Sequence, residues 1–64
     1  MTVQEIKLNQ EIVYQSSHRV IVGKIVGHLE WRRGQYLIPF KGRDGIVYVG
    51  DINHIHSVEA LRKL

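Results

Sequence analysis

Cysteine is absent from this 64-residue chain. That excludes the disulfide staples on which many small secreted domains rely, and it fits a reducing compartment. Proline occurs once, at Pro39. No linker, internal repeat or low-complexity tract divides the chain, so residues 1–64 read as a single domain. No apolar run approaches the roughly 20 residues needed to span a bilayer. The opening Met1-Thr2-Val3-Gln4-Glu5 lacks the basic region and apolar stretch of a secretory signal. A basic amphipathic helix long enough to lie on a membrane is also missing. The expected location is therefore the cytoplasm, with no membrane partner.

What is present points to a folded, basic domain. Hydrophobic residues make up 44% of the chain, too many for a disordered segment. Nine basic residues against six acidic ones give a formal charge of +3, which favours anionic partners such as nucleic acid. A chain this short buries only about 60% of its unfolded surface. Without disulfides or an evident metal it is expected to gain stability from a homo-oligomer or an obligate partner.

The periodicity is that of strands. Thr2 and Glu5 have the spacing of a capping box, leaving either a helical turn or an extended arm at the start. Ile12-Val13-Tyr14 forms a short strand that ends in the polar turn Gln15-Ser16-Ser17-His18. A long run follows from Arg19 to Trp31. In it Ile21, Gly23, Ile25, Gly27, Leu29 and Trp31 share the inward parity, and Val20, Val22, Lys24, Val26, His28 and Glu30 the outward one. Glycine on the inward parity marks a bend or a close backbone approach. Arg32-Arg33-Gly34 reads as a three-residue hairpin loop. In the next strand, from Gln35 to Phe40, Pro39 has no N–H to donate and belongs at an edge or a bulge. Lys41-Gly42-Arg43-Asp44-Gly45 is the strongest turn signal. Ile46 to Val49 is a fourth strand, with Ile46 and Tyr48 on the core side. Gly50-Asp51 breaks it, and Ile52 to His56 supplies a short fifth. Ser57 is placed to cap a short C-terminal helix with Val58, Leu61 and Leu64 on one face. Arg62 and Lys63 in its last turn complement the helix dipole.

The stretch from Val13 to Val58 resembles the small-barrel superfold shared by SH3-like and Sm-like domains. Two segments carry the likeness. One is the bent strand Ile21-Val22-Gly23-Lys24-Ile25-Val26-Gly27. The other is the late pair Gly45-Ile46-Val47-Tyr48-Val49 and Ile52-Asn53-His54-Ile55. The resemblance implies a mainly β, five-stranded barrel, here with the short C-terminal helix. Sm-like RNA-binding proteins follow the same order of strand, turn, bent strand, hairpin and isoleucine-rich closing strand. Their base-gripping loop residues have no clean match in this chain. The small plasmid-borne dihydrofolate reductases have a barrel of similar length, built around a Val-Gln-Ile-Tyr strand. The nearest segment here, Val47-Tyr48-Val49-Gly50, lacks the glutamine and the order, and that activity is not carried over.

No catalytic constellation stands out. Ser16, Ser17 and His18 are adjacent in a polar turn, which is not the geometry of an activated nucleophile. The six acids are scattered. His54 and His56 would face one way on a strand, but a pair is only half of a metal site. No enzyme, metal or cofactor is expected. Trp31-Arg32-Arg33 is the most suggestive segment, since an indole beside two guanidinium groups can stack a base and hold phosphates. Against that stands the inward parity of Trp31, which would make it a cap on the core. Alternate turns of a meander lie at the same end, so His18, Arg19, Lys41 and Arg43 should gather into a second basic patch. Arg32 and Arg33 should lie at the opposite end, near Asp51, Asn53 and His54. The function expected is nucleic-acid binding, RNA or DNA, by Arg32, Arg33, Arg19, Lys41 and Arg43 on phosphates, with Trp31 or Tyr36 stacking. The alternative is a protein-interaction module or accessory factor docking on a larger assembly through an aromatic or edge-strand surface.

Overall fold

The sheet is laid out by the alternation of isoleucine and valine with polar residues. A computed structural model describes residues 6–58. Its strands are β1 (Glu11–Gln15), β2 (Val20–Ile25), β3 (Glu30–Arg32), β4 (Gln35–Gly42), β5 (Val47–Asp51) and β6 (Ile55–Ser57). All pairings are antiparallel: β6 with β1, β1 with β2, β2 and β3 each with β4, and β4 with β5. The result is one curled sheet, a half-barrel. Among the described residues there is no α-helix long and apolar enough to cross a membrane. The helix expected after Ser57 falls largely on residues 59–64, and the capping box of Thr2 and Glu5 on residues 1–5. Both lie outside the described residues.

The long run expected from Arg19 to Trp31 is interrupted. Ile25 faces Phe40, and the next pair along β4 is Glu30 with Leu37. Four residues, 26–29, therefore lie opposite the two residues Ile38 and Pro39. This is an enlarged bulge, and it bends the track. Pro39 sits opposite it, so its missing N–H costs no ladder bond, while its carbonyl accepts from the Val26 N–H at 3.1 Å. Because the surplus is two residues, the parity survives the bend. At the bend, a Cβ on Gly27 would meet the Pro39 ring at 2.5 Å. Gly23 faces Gly42 where two backbones come close.

The core is Ile12, Ile25, Ile38, Phe40, Ile52 and Ile55, each nearly or fully buried, with Tyr14, Ile21, Leu29 and Tyr48 packed around it. Phe40 is stacked between Tyr14 and Tyr48, with ring centroids 5.4 and 5.7 Å apart. Gly50 is part of β5, which runs on to Asp51 instead of breaking at Gly50-Asp51. Ile46 is exposed, not on the core side, because it lies in the turn before β5 starts. Asp51 then caps a 3-10 turn over Ile52–His54 by accepting the Asn53 N–H at 2.8 Å. That turn replaces the first half of the expected fifth strand and delivers Ile55 back to β1.

Candidate functional site

The hairpin between β3 and β4 is tighter than its sequence implied. Arg32 pairs with Gln35, leaving a two-residue turn of Arg33 and Gly34 with φ of 50° and 80°. Positive φ at both central positions is the turn geometry whose twist matches that of flanking strands. The expected three-residue loop is thus corrected: Arg32 belongs to β3, and Arg33 itself takes the left-handed conformation. Such a backbone costs an L-residue roughly 1–2 kcal/mol, and asparagine or glycine would normally occupy it.

Trp31 faces Tyr36 across this hairpin, and their rings meet edge to face at 4.5 Å and 61°. Both share the parity of Ile38 and Phe40, as the alternation required. Yet Trp31 is 61% exposed and Tyr36 40%. The hairpin carries them past the end of the core, so Trp31 does not cap it. The other hairpin face carries Glu30, Arg32, Gln35 and Leu37, and an Arg32–Glu30 ion pair of 3.1 Å lies there. Both partners are exposed, so the pair is worth at most about 1 kcal/mol. Trp31 and Arg32 therefore point to opposite faces. Arg33, at the tip, lines a shallow cleft with Arg32, Gln35 and Leu37. Asp51 lies across Leu37 from Glu30, on the Arg32 face.

Arg19, Lys41 and Arg43 lie elsewhere. Arg19 closes the loop between β1 and β2, where the Ser16 hydroxyl accepts the N–H groups of His18 and Arg19 at 3.3 and 3.2 Å. Ser16, Ser17 and His18 thus form a turn. The Arg19 guanidinium lies 6.0 Å from the centre of the Tyr48 ring. Tyr48 donates its hydroxyl proton to Asp44 at 2.7 Å, and the same carboxylate accepts the Ile46 N–H at 3.0 Å. The Tyr48 bond, followed by the Ile46 N–H, holds the Asp44 carboxyl below its ordinary value, and the Asp44 carboxylate in turn raises Tyr48. Arg43 begins the turn at the same end and donates its N–H to the Val22 carbonyl at 3.3 Å. Lys41 faces Lys24 directly across β2 and β4. With Arg43 they line a cleft of about 400 Å³ that also takes in Val22 and Val26 and, opposite Lys24 on β1, the acidic Glu11. Lys24 is a cation that alternation alone gave no reason to single out. Only the cross-strand register brings it beside Lys41.

The six residues expected to bind therefore divide into two groups. Trp31, Arg32 and Arg33 lie at one end of the eight-residue β4, and Arg19, Lys41 and Arg43 at the other. At about 3.3 Å per residue the ends are roughly 23 Å apart. His54 and His56 do not share a strand face. His54 is on the 3-10 turn, edge-on to Tyr14 at 6.1 Å, and His56 is on β6 opposite Val13. Among the described residues no three His, Cys, Asp or Glu side chains are grouped to hold a metal. No family model, no curated protein and no solved structure matches the chain.

Proposed function

We propose that this half-barrel is a small-barrel domain of the SH3-like or Sm-like kind that binds single-stranded nucleic acid, RNA or DNA, in the cytoplasm and without catalysis. The fold assignment is supported by the order of elements: strand, turn, bent strand, hairpin, and an isoleucine-rich closing segment that returns to β1. One observation carries the functional reading. An exposed Trp31–Tyr36 pair stands at the end of a hairpin whose turn holds Arg33 in a left-handed conformation. Base stacking on an aromatic ring contributes about 1–3 kcal/mol per base and tolerates any sequence. A strained arginine at the tip fits a positioned phosphate contact, because local strain of this kind is retained where function uses it. The second basic group, Arg19, Lys41 and Arg43 with Lys24, extends the electrostatic footprint along the strand direction.

The test uses the single tryptophan as its own reporter. Titration with a short single-stranded oligonucleotide at low salt should quench Trp31 emission to saturation. An unchanged spectrum, with neither single- nor double-stranded probes bound, transfers the reading to a protein-interaction module docking on a larger assembly. The exposed valines Val20, Val47 and Val49 favour that second reading, and apolar docking would lack a steep salt dependence.

A further inference from the structure

The outer edge of β5 has no strand beside it among the described residues. Its chemistry follows from Pro39. Pro39 faces Val49 across β4 and β5, has no N–H, and turns its carbonyl to Val26 on the far side. Pro39 and Val49 therefore form a non-hydrogen-bonded pair. Antiparallel alternation then makes Lys41 with Val47 another such pair, whereas Tyr48 and Gly50 bond to β4. The N–H and C=O groups of Val47 and Val49 point away from β4, toward the open edge. Their side chains are 56% and 61% exposed.

Proteins usually blunt such an edge with lysine, proline, a bulge or an inward charge. β5, Val47-Tyr48-Val49-Gly50-Asp51, has none of these. It is apolar along its length and acidic only at its final residue. The turn that precedes it carries Arg43 and the Asp44 carboxylate, and the Arg19 guanidinium stands 6.0 Å from the Tyr48 ring at the same end, so two cations there outnumber one anion. Charge is thus arranged end to end, basic before the strand and acidic at its close. An antiparallel copy of the same strand meets that arrangement with opposite sign at both ends.

We infer that two copies of this chain pair through β5 about a two-fold axis at Tyr48, forming one continuous sheet. In that register Val47 lies opposite Val49 of the second copy. Four backbone hydrogen bonds close the edge, and four valines form a single apolar row on the outer face. Each Ile46, 54% exposed in the single chain, comes opposite Gly50 of the second copy, where no side chain competes. Each Asp51 approaches the other copy's Arg43 turn. The interface uses the edge of β5 that faces away from β4, so the Trp31 hairpin stays free; of the proposed nucleic-acid contacts only the Arg43 turn is shared, and binding by the hairpin is read separately from dimerisation.

Sedimentation equilibrium on the full chain, from micromolar to millimolar, tests this together with amide hydrogen exchange. The expected mass is two chains at the high end, with the Val47 and Val49 amides slowed as concentration rises. Val49→Lys should return the mass to one chain with an unchanged far-ultraviolet spectrum. Leu8→Lys, which changes a similarly exposed apolar residue before β1, should leave two chains. A one-chain mass at every concentration overturns the inference. So does a two-chain mass that Val49→Lys does not alter, or edge amides protected independently of concentration, which would mean the chain covers its own edge. The exchange measurement needs no variant, so it decides the matter even if Val49→Lys fails to fold.

Discussion

Gly50→Ala sets two effects of opposite sign against each other. Gly50 sits inside β5 with no positive φ. Intrinsic preference alone predicts that alanine there stabilises by roughly 0.5–1 kcal/mol, since glycine loses more backbone entropy on folding. Packing predicts the reverse. A Cβ at Gly50 would lie 2.7 and 2.8 Å from Cε2 and Cδ2 of Tyr14 and 3.0 Å from Cε1 of Phe40, where ordinary contact begins at 3.4 Å. Both neighbours are rigid rings, and they are stacked on each other, with Phe40 stacked in turn on Tyr48. A shift of several tenths of an ångström must pass through the whole aromatic column. Overpacking of this kind costs about 1–3 kcal/mol, so the net effect is a loss of up to about 2.5 kcal/mol. For a chain of 64 residues total stability is roughly 3–10 kcal/mol at about 0.05–0.15 kcal/mol per residue, and the loss is readily measured. Urea unfolding followed by far-ultraviolet circular dichroism is the assay, because the exposed Trp31 is a poor reporter of the core. Repeating the substitution in a Tyr14→Ala background removes the nearest ring, and the effect of Gly50→Ala should then shrink toward zero or change sign. A Gly50→Ala protein more stable than the parent would refute the packing argument.

Two further predictions concern the turns. Tyr48→Phe deletes the donor to Asp44, so an NMR titration should find the Asp44 carboxyl moved up toward its ordinary 3.8. In the parent, that bond contributes stability above pH 3.8 and loses it as the pH falls through the lower folded-state value. The raised Tyr48 hydroxyl contributes below its ordinary 10.0, and its share is lost as the pH rises through the folded-state value. Both limbs should flatten in the variant, and an unchanged acid limb would show that the bond is not formed in solution. Arg33→Gly relieves the left-handed backbone and should raise stability by up to about 1 kcal/mol while weakening oligonucleotide binding; a destabilised variant would contradict the turn geometry.

Much of the sheet was legible because burial imposes a period of two. Ile12, Ile25, Ile38 and Phe40 are inward for that reason, and Pro39 and the glycines announced the bend. The size of the bulge, four residues at 26–29 against two, was not legible, since its even surplus leaves the parity intact and so produces no phase slip. Nor was the exposure of Trp31. Alternation says which face a residue takes, but not how far a hairpin reaches past the residues that would cover it. The Arg19, Tyr48 and Asp44 cluster joins residues brought together only by the curl of the sheet. Lys24 became a candidate only through its cross-strand register with Lys41. The separation of the six expected site residues into two groups follows from the length of β4, which the turn signals ended at Phe40 and the structure carries on to Gly42.

The most direct measurement is the salt dependence of single-stranded oligonucleotide binding by the parent, Trp31→Ala and Arg33→Ala, read by fluorescence anisotropy of a labelled probe. For the parent, log Kobs should fall linearly with log salt. Arg33→Ala should flatten the slope by about 0.7, because one phosphate fewer is neutralised. Trp31→Ala should weaken binding by about 1–3 kcal/mol, the contribution of one stacked base, with the slope unchanged. No binding by the parent at low salt, or binding that both substitutions leave untouched, would contradict the claim that this hairpin is the nucleic-acid interface.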